Sequence, residues 1–326
     1  MSQEADNPMQ TAATAAQRKK LVSVVIPVYF NAEFLEGLFS ELLALEKGLG
    51  ERGLGLELIF VNDGSGDNSG ELLRAFKKRR PGTKIITLTR NFGAMAATKT
   101  GLDFVTGDAV AAIGADLQDP PALILELADR WLGGSKFVIA ARKGRGDPAA
   151  TRAFASLYYR IVKWLLTPNY PEGGFSVMLF DAVALPYLRR SGSHINFNLY
   201  AFWLGFTPDL IHYERRVRTH GRSRWTFRKK LNLFIDTISG FSSMPIRVLS
   251  IFGIVVSMLS FLYGANLIIA AMLGYLPVTG FATLATLISF FSGLILVMLG
   301  VIGEYIRRIF DAVIDKPEYV ISEVDL

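Results

Sequence analysis

Between Arg247 and Glu304 the chain runs for 56 residues, Val248 to Gly303, without one Asp, Glu, Lys or Arg. A bilayer core takes about 20 apolar residues per helix, so the run has the length of two spans and a turn. The hydropathy pattern predicts spans at Val248–Leu273 and Phe281–Ile302, joined by Gly274-Tyr275-Leu276-Pro277-Val278-Thr279-Gly280 with its Gly and Pro breakers. Both segments are apolar all round, which argues against a helical pair buried in a soluble core. Arg247 precedes the first span, Arg307 and Arg308 follow the second, and the connecting turn carries no charge. The positive-inside rule then predicts a multi-pass protein of the inner membrane with both ends and the N-terminal domain in the cytoplasm.

Hydrophobic residues make up 51% of the chain, and this excess is concentrated in that run. Residues 1–20 are polar, without the apolar core of a signal peptide, and read as a disordered tail. Zero cysteines exclude disulfides, thiolate metal sites and a cysteine nucleophile. Residues 21–227 carry β-branched runs at Val22–Val28, Leu56–Val61, Lys84–Leu88, Asp108–Ile113 and Phe137–Ala140, with helical periodicities between them. Such alternation predicts an α/β domain with a mostly parallel sheet. Residues 228–247 read as an interfacial helix and linker, 248–303 as the two spans and 304–326 as a cytoplasmic tail. A dinucleotide fold is a poor match. Gly64 to Gly70 is Gly-x-Gly-x-x-x-Gly, one residue too long, and it follows the second strand. The first strand opens instead into Pro27-Val28-Tyr29-Phe30-Asn31, which cannot form a pyrophosphate turn.

The chemistry concentrates at the expected strand ends. Ala115-Asp116-Leu117-Gln118-Asp119-Pro120-Pro121 follows a buried strand, where open α/β sheets bind ligands. Asp116 and Gln118 offer oxygen ligands suited to Mg²⁺ or Mn²⁺. Asp63, ending the second strand, is placed to hydrogen-bond a nucleotide base or ribose. Eight Lys/Arg and no acid lie between Arg215 and Lys230, within twenty residues of the first span. That position favours lipid phosphates and anionic head groups over nucleic acid. Leu231, Phe234, Ile235 and Ile238 repeat at helical spacing, as a helix lying in the interface would. His194, His212 and His220 have no metal-ligand spacing.

Five motifs in order carry a family likeness: Ile26-Pro27-Val28-Tyr29, Val61-Asn62-Asp63-Gly64-Ser65, Thr89-Arg90-Asn91-Phe92-Gly93, the Ala115–Pro121 heptad, and Arg218-x-x-Gly221-x-Ser223-Arg224. With them, Val22 to about Arg247 resembles the inverting family 2 glycosyltransferases of GT-A fold. The polyprenyl-phosphate branch, with its bactoprenol glucosyltransferases and dolichol-phosphate mannose synthases, is the nearest likeness. The resemblance implies that Pro27, Tyr29, Asp63 and Asp116 contact a nucleotide-sugar donor. It implies that Asp116 and Gln118 hold Mg²⁺ or Mn²⁺, with Asp116 and Arg218 catalytic. Arg142, Arg152, Ser156, Arg218, Ser223 and Arg224 match positions that bind phosphates of donor and lipid acceptor. The implied reaction carries a hexose, from UDP on the bactoprenol likeness, to polyprenyl phosphate, and a separate flippase would export the product. A homo-oligomer is also compatible.

Three positions depart from the pattern: Gly114 replaces the first Asp of Asp-x-Asp, Asn62 the first Asp of Asp-Asp-Gly-Ser, and Gly173–Met178 a common Asp-Phe-Arg-Leu. Two alternatives remain at this level. One is transfer to a lipid or glycan hydroxyl; the other is a scaffold that binds nucleotide and lipid, for which Gly114 speaks.

Overall fold

The computed structural model describes residues 19–143, 160, 163, 170–171, 174–191, 197–216, 244–273, 280–314 and 316–326. The strand β1 (Leu21–Val28) is a β-branched, almost wholly buried run in the middle of an eight-stranded sheet. Parallel neighbours bury it on both sides: β2 (Gly55–Asn62) and β4 (Ala109–Ala112), with β3 (Lys84–Leu88) parallel beyond β2. Beyond β4 lie β6 (Phe175–Asp181), antiparallel to it, then β5 (Phe137–Arg142), antiparallel to β6, and β7 (Asp209–Tyr213), parallel to β5. With β8 (Ile321–Asp325) antiparallel beyond β3, the strand order is β7-β5-β6-β4-β1-β2-β3-β8, a mostly parallel mixed sheet.

Helices cover it as the sequence periodicity predicts. α1 (Ala32–Glu51) buries Phe34, Leu35, Leu38, Phe39, Leu42, Leu45 and Leu49, a stripe at helical spacing. Phe39 stacks on Phe76 of α2 (Ser69–Arg79) with ring centroids 4.1 Å apart, and both meet Phe60 of β2 edge-on. Each such ring, fully buried, contributes about 1.5–3 kcal/mol. α3 (Ala94–Asp103) is rich in small residues because it lies close on the sheet: a Cβ at Gly101 would stand 2.3 Å from Val25 Cγ1. α4 (Leu123–Leu132) packs on the other side of the sheet order, against β5 and β6, burying Ile124, Leu127, Ala128 and Trp131. Two short helices, α5 (Leu185–Arg189) and α6 (Phe197–Trp203), follow β6.

Chain contacts divide the protein into one unit ending at Thr226 and completed by Glu318–Leu326, and a second, Phe227–Pro317. The second holds α7 (Met244–Met272) and α8 (Phe281–Val313). Among the described residues these two helices carry stretches long and apolar enough to cross a membrane, Ile246–Asn266 and Phe290–Asp311. They pack on each other at Gly253, where a Cβ would stand 2.8 Å from Met298 Cε. The second helix starts at Phe281, as expected, but runs past Ile302. Charge does not stop it: Arg307 pairs along the helix with Glu304 at 2.8 Å and Asp311 at 2.6 Å.

Residues 304–326, expected as a tail, are therefore ordered differently. They finish α8 and then form β8 (Ile321–Asp325), an antiparallel edge strand on β3. The expected interfacial helix at 228–240 and the candidates Arg152, Ser156, Arg218, Ser223 and Arg224 lie outside the described residues.

Candidate active site at the carboxyl ends of the strands

Five of the sequence candidates come together along one edge of the sheet, in strand order Arg142 (β5), Asp116 and Gln118 (after β4), Tyr29 (after β1) and Asp63 (after β2). Pro27, half-buried, sits inside β1 opposite Val61. Four strand intervals separate Arg142 from Asp63, about 19 Å at the usual inter-strand spacing.

The β1 and β2 exits are tied to each other. Asp63 N donates to Val28 O at 2.9 Å, and Phe30 N to Ser65 Oγ at 3.2 Å. Asn62, where the pattern has Asp, accepts from Ser65 N at 3.1 Å through Oδ1, so an amide oxygen suffices for this turn. Gly64 has φ +62°, and a Cβ there would strike the Arg90 backbone at 2.5 Å. Only glycine lets the two loops meet. Asp63 is 1% exposed. Its Oδ1 accepts from Phe92 N at 2.7 Å and its Oδ2 from Gly93 N at 2.9 Å. Burial pushes this carboxyl above its ordinary range against the pull of those amides and of Arg90. Asp63 thus pins the Arg90–Gly93 loop, a task beyond the nucleotide contact expected of it.

The β4 exit is strained. Leu117 has φ 57° and Phe30 φ 52°, the two left-handed non-glycine residues among those described, and both lie at this end of the sheet. Such conformations cost of order 1–3 kcal/mol and persist where packing over-determines them. Leu117 is held by contact with α1, where a Cβ at Gly37 would stand 3.0 Å from its Cδ1. The turn sets Asp116 and Gln118 two residues apart, with Gln118 N donating to Asp116 Oδ1 at 3.3 Å. Asp119 points elsewhere. It is 4% exposed and accepts from the Tyr213 hydroxyl and from Arg215 Nε at 3.1 Å. Burial, then Asp119, push the Tyr213 hydroxyl up to about 12, while Arg142 opposes the shift.

Arg142, closing β5, donates through Nη2 to Ser176 Oγ, and its buried Nε has no partner among the described residues. A guanidinium held by Ser176 at the strand end presents the planar fork that suits a phosphate oxygen. Tyr213 and Ser176 were missed by the sequence reading. Tyr213 shares the buried face of β7 with Ile211, as a core position would, and nothing local announces a carboxylate 94 residues away.

No group of three or more His, Cys, Asp or Glu able to hold a metal occurs among the described residues. A Cβ at Gly114 would stand 3.4 Å from Asp116 Oδ1, so the aspartate common at that position would converge on Asp116. Here the protein supplies one carboxylate and one amide. That fits a hard divalent ion which takes its remaining oxygens from a substrate diphosphate and water, the usual habit of Mg²⁺.

The chain matches the model of glycosyl transferase family 2 over residues 23–185. It is 34% identical to an uncharacterized glycosyltransferase of Synechocystis, over 93% of this chain and 95% of that one. It is 33% identical to the SfII prophage-derived bactoprenol glucosyl transferase of Shigella flexneri, over 93% and 97%. Among solved structures it is similar to glucosyl-3-phosphoglycerate synthase from Mycobacterium tuberculosis, in a complex with Mn²⁺, uridine diphosphate and glucosyl-3-phosphoglycerate. That likeness has a TM-score of 0.45 at 17% identity, over 65% of this chain and 75% of that one.

Proposed function

The chain belongs to glycosyltransferase family 2, with a GT-A catalytic domain, and from that premise we propose that it transfers a hexose from a UDP-sugar to polyprenyl phosphate with inversion. The observation that carries the acceptor is the likeness to the bactoprenol enzyme over 97% of that enzyme's length, which takes in the apolar helix pair as well as the catalytic domain.

The described side chains support the chemistry. A phosphate monoester has a second pKa of about 6 and is largely dianionic at neutral pH, so it attacks without a general base. Its oxygen forms the new bond to the anomeric carbon on the face opposite the leaving group, while the bond to the diphosphate oxygen breaks and its electron pair leaves with UDP. The carboxylates Asp63 and Asp119 agree with this, each already engaged by hydrogen-bond donors. Asp116 and Gln118 would hold Mg²⁺ or Mn²⁺, which neutralises charge on the diphosphate. Pro27, Tyr29 and Asp63 form the nucleotide end. Arg142 receives a phosphate, and the family likeness assigns the other phosphate contacts to Arg152, Ser156, Arg218, Ser223 and Arg224, outside the described residues, with Arg218 to stabilise the departing charge.

In this reading 21–227 is the catalytic domain, 228–240 its interfacial helix, and α7 and α8 are the spans that hold it at the cytoplasmic side of the inner membrane. The nucleotide-sugar lies in that compartment, so the product needs a separate flippase. Detergent-purified full-length protein given labelled UDP-glucose and a short polyprenyl phosphate should yield one acid-labile glycolipid, and none with polyprenol. Transfer to polyprenol, or none from any UDP- or GDP-hexose to the phosphate, overturns the proposal.

A further inference from the structure

After the two long apolar helices, the last nine residues, Glu318–Leu326, return to the sheet beside the loop that Asp63 pins. β8 pairs with β3 at Ile85↔Asp325, Ile86↔Val324 and Thr87↔Glu323, then shifts register between Thr87 and Leu88 so that Leu88 meets Ile321. Such a bulge re-aims a strand. The ladder continues past the end of β3, where Thr89 N donates to Val320 O at 2.9 Å. Three residues on, Phe92 N reaches Asp63.

Side chains clamp the same segment. Lys99, 7% exposed on α3, donates to Glu318 Oε2 at 2.5 Å and to Ser191 O. The Tyr319 hydroxyl, pushed up by burial, donates to Asp103 at the end of α3, and Lys77 of α2 pairs with Asp325. Covering the edge of β3 would need only the ladder. The clamps and the bond to Thr89 instead fix where the Thr89–Gly93 loop begins, while Asp63 fixes where it ends.

We infer that Glu318–Asp325 is a positioning element of the nucleotide end of the active site, setting the Thr89–Gly93 loop for donor binding. The inference rests on the reading that this end takes the nucleoside diphosphate.

The test uses full-length detergent-purified protein, a variant ending at Pro317, and UDP as the probe. Truncation should weaken UDP binding and raise donor KM by about tenfold, with the KM for polyprenyl phosphate within about twofold of the parent. A synthetic peptide of residues 316–326 should restore both. A folded truncation that binds UDP as the parent does overturns the inference. Should the truncation unfold, the double variant Glu318→Gln, Tyr319→Phe asks the same question, because it removes the two clamps onto Lys99 and Asp103 and leaves the Thr89–Gly93 loop chemically unchanged. It should show the same donor defect at a Tm within a few degrees, and unchanged UDP affinity again overturns the inference. A parent that binds no UDP fails differently, since the nucleotide reading itself then falls.

Discussion

The two ends of the sheet are built on opposite plans. At the amino ends of β1, β2 and β3, Glu57 is a buried carboxylate, 6% exposed, with every need met. It accepts from Ser23 Oγ at 2.5 Å, Thr106 Oγ1 at 2.6 Å, Thr106 N at 3.0 Å and Lys84 Nζ at 2.7 Å. Gly107 belongs to this end too, since a Cβ there would stand 2.4 Å from Ser23 Oγ. At the carboxyl ends the backbone turns left-handed at Phe30 and Leu117, Asp116 and Gln118 are only partly buried, and the Arg142 Nε has no partner among the described residues. Charge at the first end is consumed by the fold. At the second, Asp63 and Asp119 are engaged too, but Asp116 and Gln118 keep part of their surface exposed beside a strained backbone, as a site for anionic substrates requires.

The sharpest way to break this contrast is to exchange the consequences of mutation at the two ends. Glu57→Ala leaves Lys84 without its buried partner and should cost about 3–5 kcal/mol of stability. Turnover per folded molecule should stay at the parent level, measured by thermal unfolding alongside glycolipid assays. A variant of parental Tm with lost turnover would move Glu57 into the active site. Asp116→Ala should do the reverse and lower turnover by about a hundred- to a thousandfold at nearly unchanged Tm. If Tm collapses instead, the carboxyl end is structural like its opposite. Arg142→Ala removes one charge-assisted contact of roughly 1.5–3 kcal/mol, or about ten- to a hundredfold in lipid-phosphate or donor kinetics. Arg142→Lys should recover only part, because a point charge lacks the fork.

The smallest effect is on pH dependence, and the two ends differ in sign. Burial pushes Glu57 up, but its bonds from Lys84, Ser23 and Thr106 outweigh that and hold it below its ordinary 4.5. Its stabilisation is therefore complete above pH 4.5 and is lost as pH falls toward the folded value. Asp63, raised by burial, carries the opposite linkage: protonation favours the folded state as pH falls through its folded value. Glu57→Gln should flatten the acid limb of a Tm-versus-pH curve, whereas Asp63→Asn should steepen it. The same change in both variants would erase the distinction between the ends.

What the sequence determined by itself is whatever local pattern decides. The strand expected at Leu56–Val61 is β2, Gly55–Asn62, because an unbroken apolar run suits a strand buried on both faces. The helix expected from Phe281 starts there after Gly280. Asp116 and Asp63 were legible at strand ends for the same reason, Tyr29 and Arg142 only through the family likeness, and parallel strands place all four on one edge. Tertiary structure alone decided the rest. β6 enters antiparallel between β4 and β5, and β8 crosses 233 residues of chain from Leu88 to Ile321, pairings that no periodicity encodes. How far a carboxylate is buried was equally invisible. Asp116 and Asp119 stand three residues apart in one motif, yet one is partly exposed while the other is taken by Tyr213 and Arg215. The physical reason is that periodicity reports which face of an element is apolar, whereas hydrogen-bond partners and strand neighbours are set by the chain's return from far away.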